Sequence, residues 1–314
     1  MVVRRLLLKS TLLLPLSAPA SPAAAEIRDD SWFNVARQRV LPWRLRLPGG
    51  DKPCPLVLYS HGLGGSREGG QAWGSAWADS GIAVLHLQHP GSDIEVLRSG
   101  GRSLQAAASS DQFVERLMDL RFAISEVQRR ADAGEAPWNR IRADAIGVAG
   151  HSFGALTTQA VAGQRYPGVD GLSDPRPRAF TALSPSLPIG VKMSPNEAFA
   201  GVVRPFFALT GSLDSSPIQR DQAAAQRAGV YDALPPGQRA LLWLKGANHQ
   251  TFGGGPSSLR ESDVRGADPA DRHSWLIASA TTLWWQWHLL RDEAARLRLE
   301  SLEGLLDGDR LQIG

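Results

Sequence analysis

Residues 145–162 read AIGVAGHSFGALTTQAVA and place a Gly-x-Ser-x-Gly pattern between a short apolar run and a helix-like segment. A strand that turns sharply into a helix at such a pattern holds its serine exposed above the edge of a sheet. Gly150 and Gly154 let the backbone turn without a side-chain clash. The helix N-terminus that follows favours developing negative charge. The stretch therefore predicts Ser152 as an exposed nucleophile at the end of a buried strand.

Short apolar runs alternate with helix-like segments on both sides of this turn. The alternation predicts an α/β fold with a doubly wound, mostly parallel sheet and helices on both faces. Ligands of such sheets bind beyond the carboxyl ends of the strands, so side chains that follow a strand are the candidates for chemistry. The predicted strands cover 40–47, 56–59, 82–87, 145–149, 179–183, 205–209 and 241–244, and the predicted helices cover 71–80, 111–133 and 274–308.

Two of these helices have a clear apolar face. Trp73 and Trp77 lie four residues apart and are expected to pack together in the core. The helix over 111–133 is predicted to bury one side, which consists of Phe113, Val114, Leu117, Leu120, Ile124 and Val127.

A nucleophilic serine needs a histidine base and a carboxylate that orients the histidine, and in this kind of sheet the acid precedes the histidine in the chain. Asp214 follows an apolar run and a glycine turn, which is the place expected for the acid. Asp221 and Asp232 lie inside or after helix-like sequence, and Asp174 lies in a proline-rich stretch, so these three fit less well. Asp214 is the predicted acid, with a turn or helix-capping aspartate as the structural alternative.

His249 lies on a loop just after the last predicted strand, where the base is expected. A plain surface-loop histidine is the structural alternative. His273 is the rival base, although its place just before the C-terminal helix favours a helix-terminal or packing role. His151 lies too close to Ser152 in sequence to act as its base.

The negative oxygen formed during acyl transfer needs two backbone N–H donors. One is expected from Phe153, the residue after the nucleophile, and the other from the loop after an early strand. Residues 60–65 read SHGLGG and form that loop, and their glycines let the backbone approach a ligand closely. The N–H of Leu63 is the predicted second donor.

A second polar cluster contains His86, His89 and Asp93. Imidazole and carboxylate groups suit Zn²⁺, but the spacing supplies no convincing further ligand and His86 lies within a predicted strand. His89 and Asp93 are candidates for the rim of the pocket, with a plain turn as the alternative. We expect no metal and no cofactor.

Residues 1–25 are predicted to be an export signal, with Arg4, Arg5 and Lys9 before two leucine runs and Ala23 to Ala25 as the cleavage site. The two arginines also resemble a twin-arginine signal, and a general secretory signal is the alternative. Prolines interrupt the apolar run well short of a membrane span, so no stable span is expected after removal. The mature chain is predicted to be a single domain over residues 26–314, in the periplasm or secreted.

Charge and cysteine content exclude some classes of partner and of stabilising bond. The signal carries three basic residues and no acidic one, so the formal net charge falls from +3 to zero once it is removed. This balance predicts no nucleic-acid partner. Cys54 is the only cysteine, so no intramolecular disulfide is available. It is expected to be a small buried residue.

Over residues 40–300 the chain resembles the α/β-hydrolase superfamily. It is most similar to the dienelactone hydrolase-like branch, which includes platelet-activating-factor acetylhydrolase-like and polyester-degrading cutinase-like enzymes. The matching motifs are SHGLGG at 60–65, HPGSD at 89–93, RIxxDxIGVxGHSFGA ending at Ala155 and GANHQTF at 246–252. The resemblance implies Ser152 as nucleophile, Asp214 as acid and His249 as base. Dienelactone hydrolases proper use cysteine, so the serine favours ester hydrolysis instead.

The expected function is therefore that of a serine carboxylic-ester hydrolase acting on a small-molecule or lipid-like ester. A lipase, a polyesterase or an acyltransferase on the same site is the alternative within enzymes. A non-catalytic ligand-binding relative is the alternative outside them. The loops over 91–110 and 184–204 are expected to decide which acyl and alcohol groups fit.

Overall fold

The computed structural model describes residues 24–98, 106–169, 171–188, 192–215, 224–255 and 269–314. Within these residues nine strands form one sheet with the order β1-β2-β4-β3-β5-β6-β7-β8-β9. The strands are β1 Glu26–Asn34, β2 Arg39–Leu47, β3 Cys54–Ser60, β4 Ala83–Leu87, β5 Ile141–His151, β6 Ala179–Leu183, β7 Phe206–Leu213, β8 Arg239–Asn248 and β9 Arg310–Ile313.

Helices connect most of these strands. They are α1 Gln71–Asp79, α2 Ile94–Arg98, α3 Ser110–Asp132, α4 Phe153–Ala162, α5 Pro195–Phe199, α6 Ala224–Ala233, α7 Pro269–Leu290 and α8 Glu293–Glu300. Two short 3-10 helices cover Trp138–Arg140 and Gln250–Phe252.

The centre of the sheet is parallel, from β4 through β3, β5, β6 and β7 to β8. β1, β2 and β9 pair antiparallel at the two sides. The prediction of an α/β fold with a mostly parallel sheet is therefore confirmed. Parallel strands need crossover connections, and helices such as α4 and α6 supply them.

Two apolar clusters form the core. Along β3, Leu56 and Leu58 belong to one cluster, whereas Val57 and Tyr59 belong to the other. Successive side chains of a strand point to opposite faces, so the clusters lie on the two sides of the sheet. Trp73 and Trp77 are buried in the second cluster, as predicted.

The structure differs from the sequence predictions in the C-terminal helix and in two strands at the sides of the sheet. The helix predicted over 274–308 is two helices, of which the second ends at Glu300: Arg291 has a positive φ, and the Asp292 carboxylate accepts hydrogen bonds from two N–H groups at the start of α8. The strands β1 and β9 were missed. The first six residues of β1 are exposed, and an exposed edge strand carries little apolar pattern.

The structure also differs from the predictions on one face of α3 and in the two segments predicted as long loops. Val114 is exposed, although the apolar pattern placed it on the buried side of α3. The segments predicted as the long loops 91–110 and 184–204 contain the short helices α2 and α5. Cys54 is buried, as expected.

Residues 1–23 of the predicted export signal lie outside the described part of the chain, so the signal remains a prediction. Among the residues that the structure describes, no helix has both the length and the apolar character needed to cross a membrane.

Candidate active site

Ser152 lies between the end of β5 and the start of α4, with φ 56° and ψ −115°. A non-glycine residue with positive φ is strained and needs surrounding structure to hold it. The N–H of Ser152 donates to the Leu183 carbonyl at 3.0 Å, which ties the turn to β6. A Cβ added at Gly154 would overlap the carbonyl oxygen of Ser60, so only glycine permits α4 to begin this close to β3. The predicted strand–turn–helix geometry is present.

His249 stands between Ser152 and Asp214 in a continuous line of hydrogen bonds. Its Nε2 lies 2.9 Å from Ser152 Oγ, and its Nδ1 lies 2.8 Å from Asp214 Oδ1. A carboxylate only accepts hydrogen bonds, so Nδ1 carries the proton and Nε2 is free to accept from the serine hydroxyl. The three residues come from the ends of β5, β7 and β8, which are remote in sequence. The structure brings all three predicted residues together.

The carboxylate of Asp214 is fully buried. Its second oxygen, Oδ2, accepts hydrogen bonds from Ser184 Oγ at 2.7 Å and Thr210 Oγ1 at 2.8 Å. Arg227 Nε lies 3.3 Å from Oδ1. Burial alone would raise the pKa of Asp214, but the hydrogen bond with His249 and the charge of Arg227 outweigh it and lower the pKa. The Asp214 carboxylate is thus held ionised and in one orientation.

The side chain of His151, the residue before Ser152, holds the backbone of His249 in place. Its Nε2 donates to the His249 carbonyl oxygen at 2.9 Å, and the two rings lie 4.8 Å apart. Burial lowers the pKa of His151 to about 3, so the ring is neutral at pH 7. Sequence reasoning excluded His151 as a base but did not predict this contact.

The loop over residues 60–65 lies against Ser152, because a Cβ added at Gly62 would lie 3.3 Å from the Cβ of Ser152. The Gly62 carbonyl accepts from His61 Nδ1 at 2.6 Å and from the Gly65 N–H at 3.1 Å. The peptide bond between Gly62 and Leu63 is trans, so the Leu63 N–H points in the opposite direction from the Gly62 carbonyl. The N–H groups of Leu63 and Phe153 have no acceptor within the described residues, so both are available to a ligand.

His89 and Asp93, the residues predicted as candidates for the pocket rim, are both buried. His89 is fully buried, donates from Nδ1 to Asp119 and accepts at Nε2 from Ser60 Oγ at 3.0 Å. Asp93 is also buried and accepts from Gln88 at 2.9 Å. The backbones of both residues also contact the 60–65 loop, because the His89 N–H donates to His61 Nε2 and Asp93 forms a β-bridge with Gly65.

The Asp119 carboxylate, which binds His89 behind the 60–65 loop, makes the free energy of unfolding depend on pH. Burial would raise its pKa, but hydrogen bonds from His89 and Arg39 lower the pKa to about 2. A lowered pKa stabilises the fold above the unfolded value near 4, and this stability is lost as the pH falls towards 2. We expect Asp119→Asn to remove up to about 2 kcal/mol of the acid-dependent change in unfolding free energy.

Urea unfolding between pH 5 and pH 2.5 measures this difference. Asp232→Asn is the matched control, because Asp232 is exposed. Equal pH slopes for Asp119→Asn and the unsubstituted chain would contradict the assignment.

The rival residues lie elsewhere in the fold. His273 Nε2 lies 3.1 Å from the Lys245 carbonyl, and no contact with Ser152 is present among the described residues. Asp174 binds Arg176, Asp232 is exposed, and Asp221 falls outside the described residues. In the part of the chain that the structure describes, no group of three or more His, Cys, Asp or Glu side chains could hold a metal ion.

Comparisons with known proteins supply no family for this chain. No protein-family model matches it, and a search of the curated proteins found no match. Any functional conclusion therefore depends on the geometry of the site.

Proposed function

We propose that this protein is a serine carboxylic-ester hydrolase with the α/β-hydrolase fold. The observation that carries the proposal is the hydrogen-bonded line from Ser152 Oγ through His249 to Asp214 Oδ1. A serine paired with a base that is itself oriented by a buried acid is the arrangement used for acyl transfer. The strained φ of Ser152 supports the same conclusion, since strain clusters at functional sites.

Acylation begins when His249 Nε2 accepts the proton of the Ser152 hydroxyl. Oγ then attacks the ester carbonyl carbon, and the carbonyl oxygen becomes negatively charged in a tetrahedral intermediate. The N–H groups of Leu63 and Phe153 hold this oxygen; losing one such donor typically costs about 3 kcal/mol of transition-state stabilisation. Asp214 stabilises the positive imidazolium of His249 throughout this step.

Collapse of the intermediate breaks the bond to the alcohol oxygen, which takes the proton from His249 and leaves. Water then attacks the acyl-enzyme, with His249 accepting a proton from it. The second tetrahedral intermediate expels Ser152 Oγ, which recovers its proton, and the carboxylic acid is released. Each residue returns to its starting protonation state.

The substrate is proposed to be a small-molecule or lipid-like ester. Phe153 is partly exposed beside the nucleophile, and its ring stacks on Phe113 with 6.3 Å between ring centroids. An apolar wall at this place suits an apolar part of the ester. The predicted signal adds the proposal that the enzyme works in the periplasm or outside the cell.

A fluorophosphonate probe tests the proposal directly. We expect covalent labelling of the folded protein at the peptide that contains Ser152, read by mass spectrometry, together with hydrolysis of p-nitrophenyl esters. A series of increasing acyl length then separates a short-chain esterase from a lipase.

Heat-unfolded protein is the control for labelling, because the activated serine exists only in the fold. Folded protein that takes no label would favour a non-catalytic ligand-binding relative. Label on another serine would reject the nucleophile assignment.

A further inference from the structure

Arg116 is a fully buried cation on α3, and the proposed mechanism does not yet use it. Burying an arginine is costly unless it is paired, yet no carboxylate forms an ion pair with it among the described residues. Burial lowers the pKa of Arg116 to about 9, which leaves the group charged at neutral pH. The Asp119 and Asp93 carboxylates offset this charge only from a distance, since neither forms an ion pair with the guanidinium among the described residues.

The guanidinium of Arg116 joins the two segments that carry the predicted oxyanion donors. On the loop side it donates to the His61 carbonyl oxygen and to Ser60 Oγ at 3.0 Å. On the helix side it donates to Thr157 Oγ1 at 3.3 Å, and its Cζ lies 4.7 Å from the centroid of the Phe153 ring. One rigid group thus sets the spacing between the Leu63 and Phe153 segments.

A chain of neutral groups connects this cation to a carboxylate. Arg116 donates to Ser60 Oγ, Ser60 Oγ donates to His89 Nε2, and His89 Nδ1 donates to Asp119 Oδ2. Burial lowers the pKa of His89 to about 4, so its ring carries no charge at neutral pH. The Asp119 carboxylate already forms ion pairs with Arg37 and Arg39. The positive charge beside the site is therefore only partly balanced.

We propose that Arg116 is a positioning residue for the oxyanion hole, which fixes both donor segments and adds a positive field that stabilises the tetrahedral oxyanion. The proposal rests on the proposed hydrolase function. A fixed cation in a dry site stabilises charge that develops only in the transition state, and it costs no reorganisation at that moment. The ground-state ester carries no such charge and gains little from it.

The test compares Arg116→Gln with Arg116→Lys in steady-state hydrolysis of a p-nitrophenyl ester. We expect Arg116→Gln to lower kcat about 10- to 100-fold, with KM changed less than about threefold. This reduction in kcat is smaller than the one expected from removing a direct oxyanion donor. Arg116→Lys keeps the positive charge but replaces the forked guanidinium with a single ammonium group, so its kcat is expected to fall less than that of Arg116→Gln.

Inhibition by an aliphatic trifluoromethyl ketone separates this role from a purely structural one. The ketone forms an anionic tetrahedral adduct with an active serine, so its inhibition constant should rise in step with the loss of kcat/KM. Arg46→Gln is the matched control, because Arg46 is also buried and, among the described residues, no hydrogen bond joins it to the 60–65 loop. It is expected to leave both constants unchanged.

Equal losses in both Arg116 variants with unchanged ketone inhibition would overturn the proposal. If neither variant folds, Ser92→Ala removes one acceptor of the guanidinium, which lies 2.8 Å from it. That variant should lower kcat and ketone affinity by about threefold each, and no change in either would reject the role. Failure of the hydrolase proposal is distinguishable, since the unsubstituted protein would then show no ester hydrolysis at all.

Discussion

The Ser152→Ala variant is expected to lose ester hydrolysis by roughly six orders of magnitude in kcat, which is the usual cost of removing a nucleophile from a working triad. In the proposed mechanism the Ser152 hydroxyl gives its proton to His249 Nε2, which lies 2.9 Å away, and then attacks the ester. The measurement is the initial rate of p-nitrophenyl ester hydrolysis, together with loss of fluorophosphonate labelling.

A second substitution at the same position separates chemistry from folding. Ser152→Gly also removes the hydroxyl, but glycine adopts the φ of 56° without strain. We expect Ser152→Gly to exceed Ser152→Ala in unfolding free energy by about 1 kcal/mol, because relief of backbone strain outweighs the entropic cost of glycine. Both variants should be inactive.

Ser301→Ala is the matched control for these variants. Ser301 is exposed and its hydroxyl donates to the Leu297 carbonyl at 2.8 Å, so full activity is expected. Residual hydrolysis by Ser152→Ala well above the uncatalysed rate would reject Ser152 as the nucleophile. Ser152→Gly that is less stable than Ser152→Ala would reject the strain argument.

The residues proposed to react were predictable because each follows a strand with a strong apolar run. Ser152, Asp214 and His249 all come at the carboxyl ends of buried parallel strands, which meet at one edge of the sheet. Local pattern therefore fixed their relative place without any long-range information. The sheet centre was predictable for the same reason, since buried parallel strands are nearly continuous in apolar residues.

The residues that support the site were not predictable in the same way. Arg116 interrupts the apolar face of α3 between Phe113 and Leu120, which is a visible signal, but its partners lie up to 56 residues away. His89 and Asp93 look like rim residues because the sequence does not show which polar side chains are buried. The edge strands β1 and β9 were missed because exposed pairing leaves little periodic pattern.

The Asp214→Asn variant is expected to lower kcat by about four orders of magnitude with KM nearly unchanged. An amide that turns its NH₂ towards His249 forces the imidazole proton onto Nε2, which can then no longer accept from Ser152. An amide that turns its oxygen towards His249 keeps the tautomer but leaves the imidazolium of the transition state without its anion. Either orientation removes stabilisation that exists only during the reaction.

Asp174→Asn is the control for this change, because Asp174 is also buried and its pKa is also lowered, by hydrogen bonds with Arg176 that outweigh burial. It contacts no histidine among the described residues, so it should lose stability and keep kcat. Thermal unfolding and ester hydrolysis measured on both variants separate the two effects. Comparable loss of kcat in both would mean that Asp214 acts only through the fold. A loss of kcat confined to Asp214→Asn is the result that a charge-stabilising acid requires. Both carboxylates are buried and each lies beside its own arginine, but only Asp214 contacts the proposed base, His249.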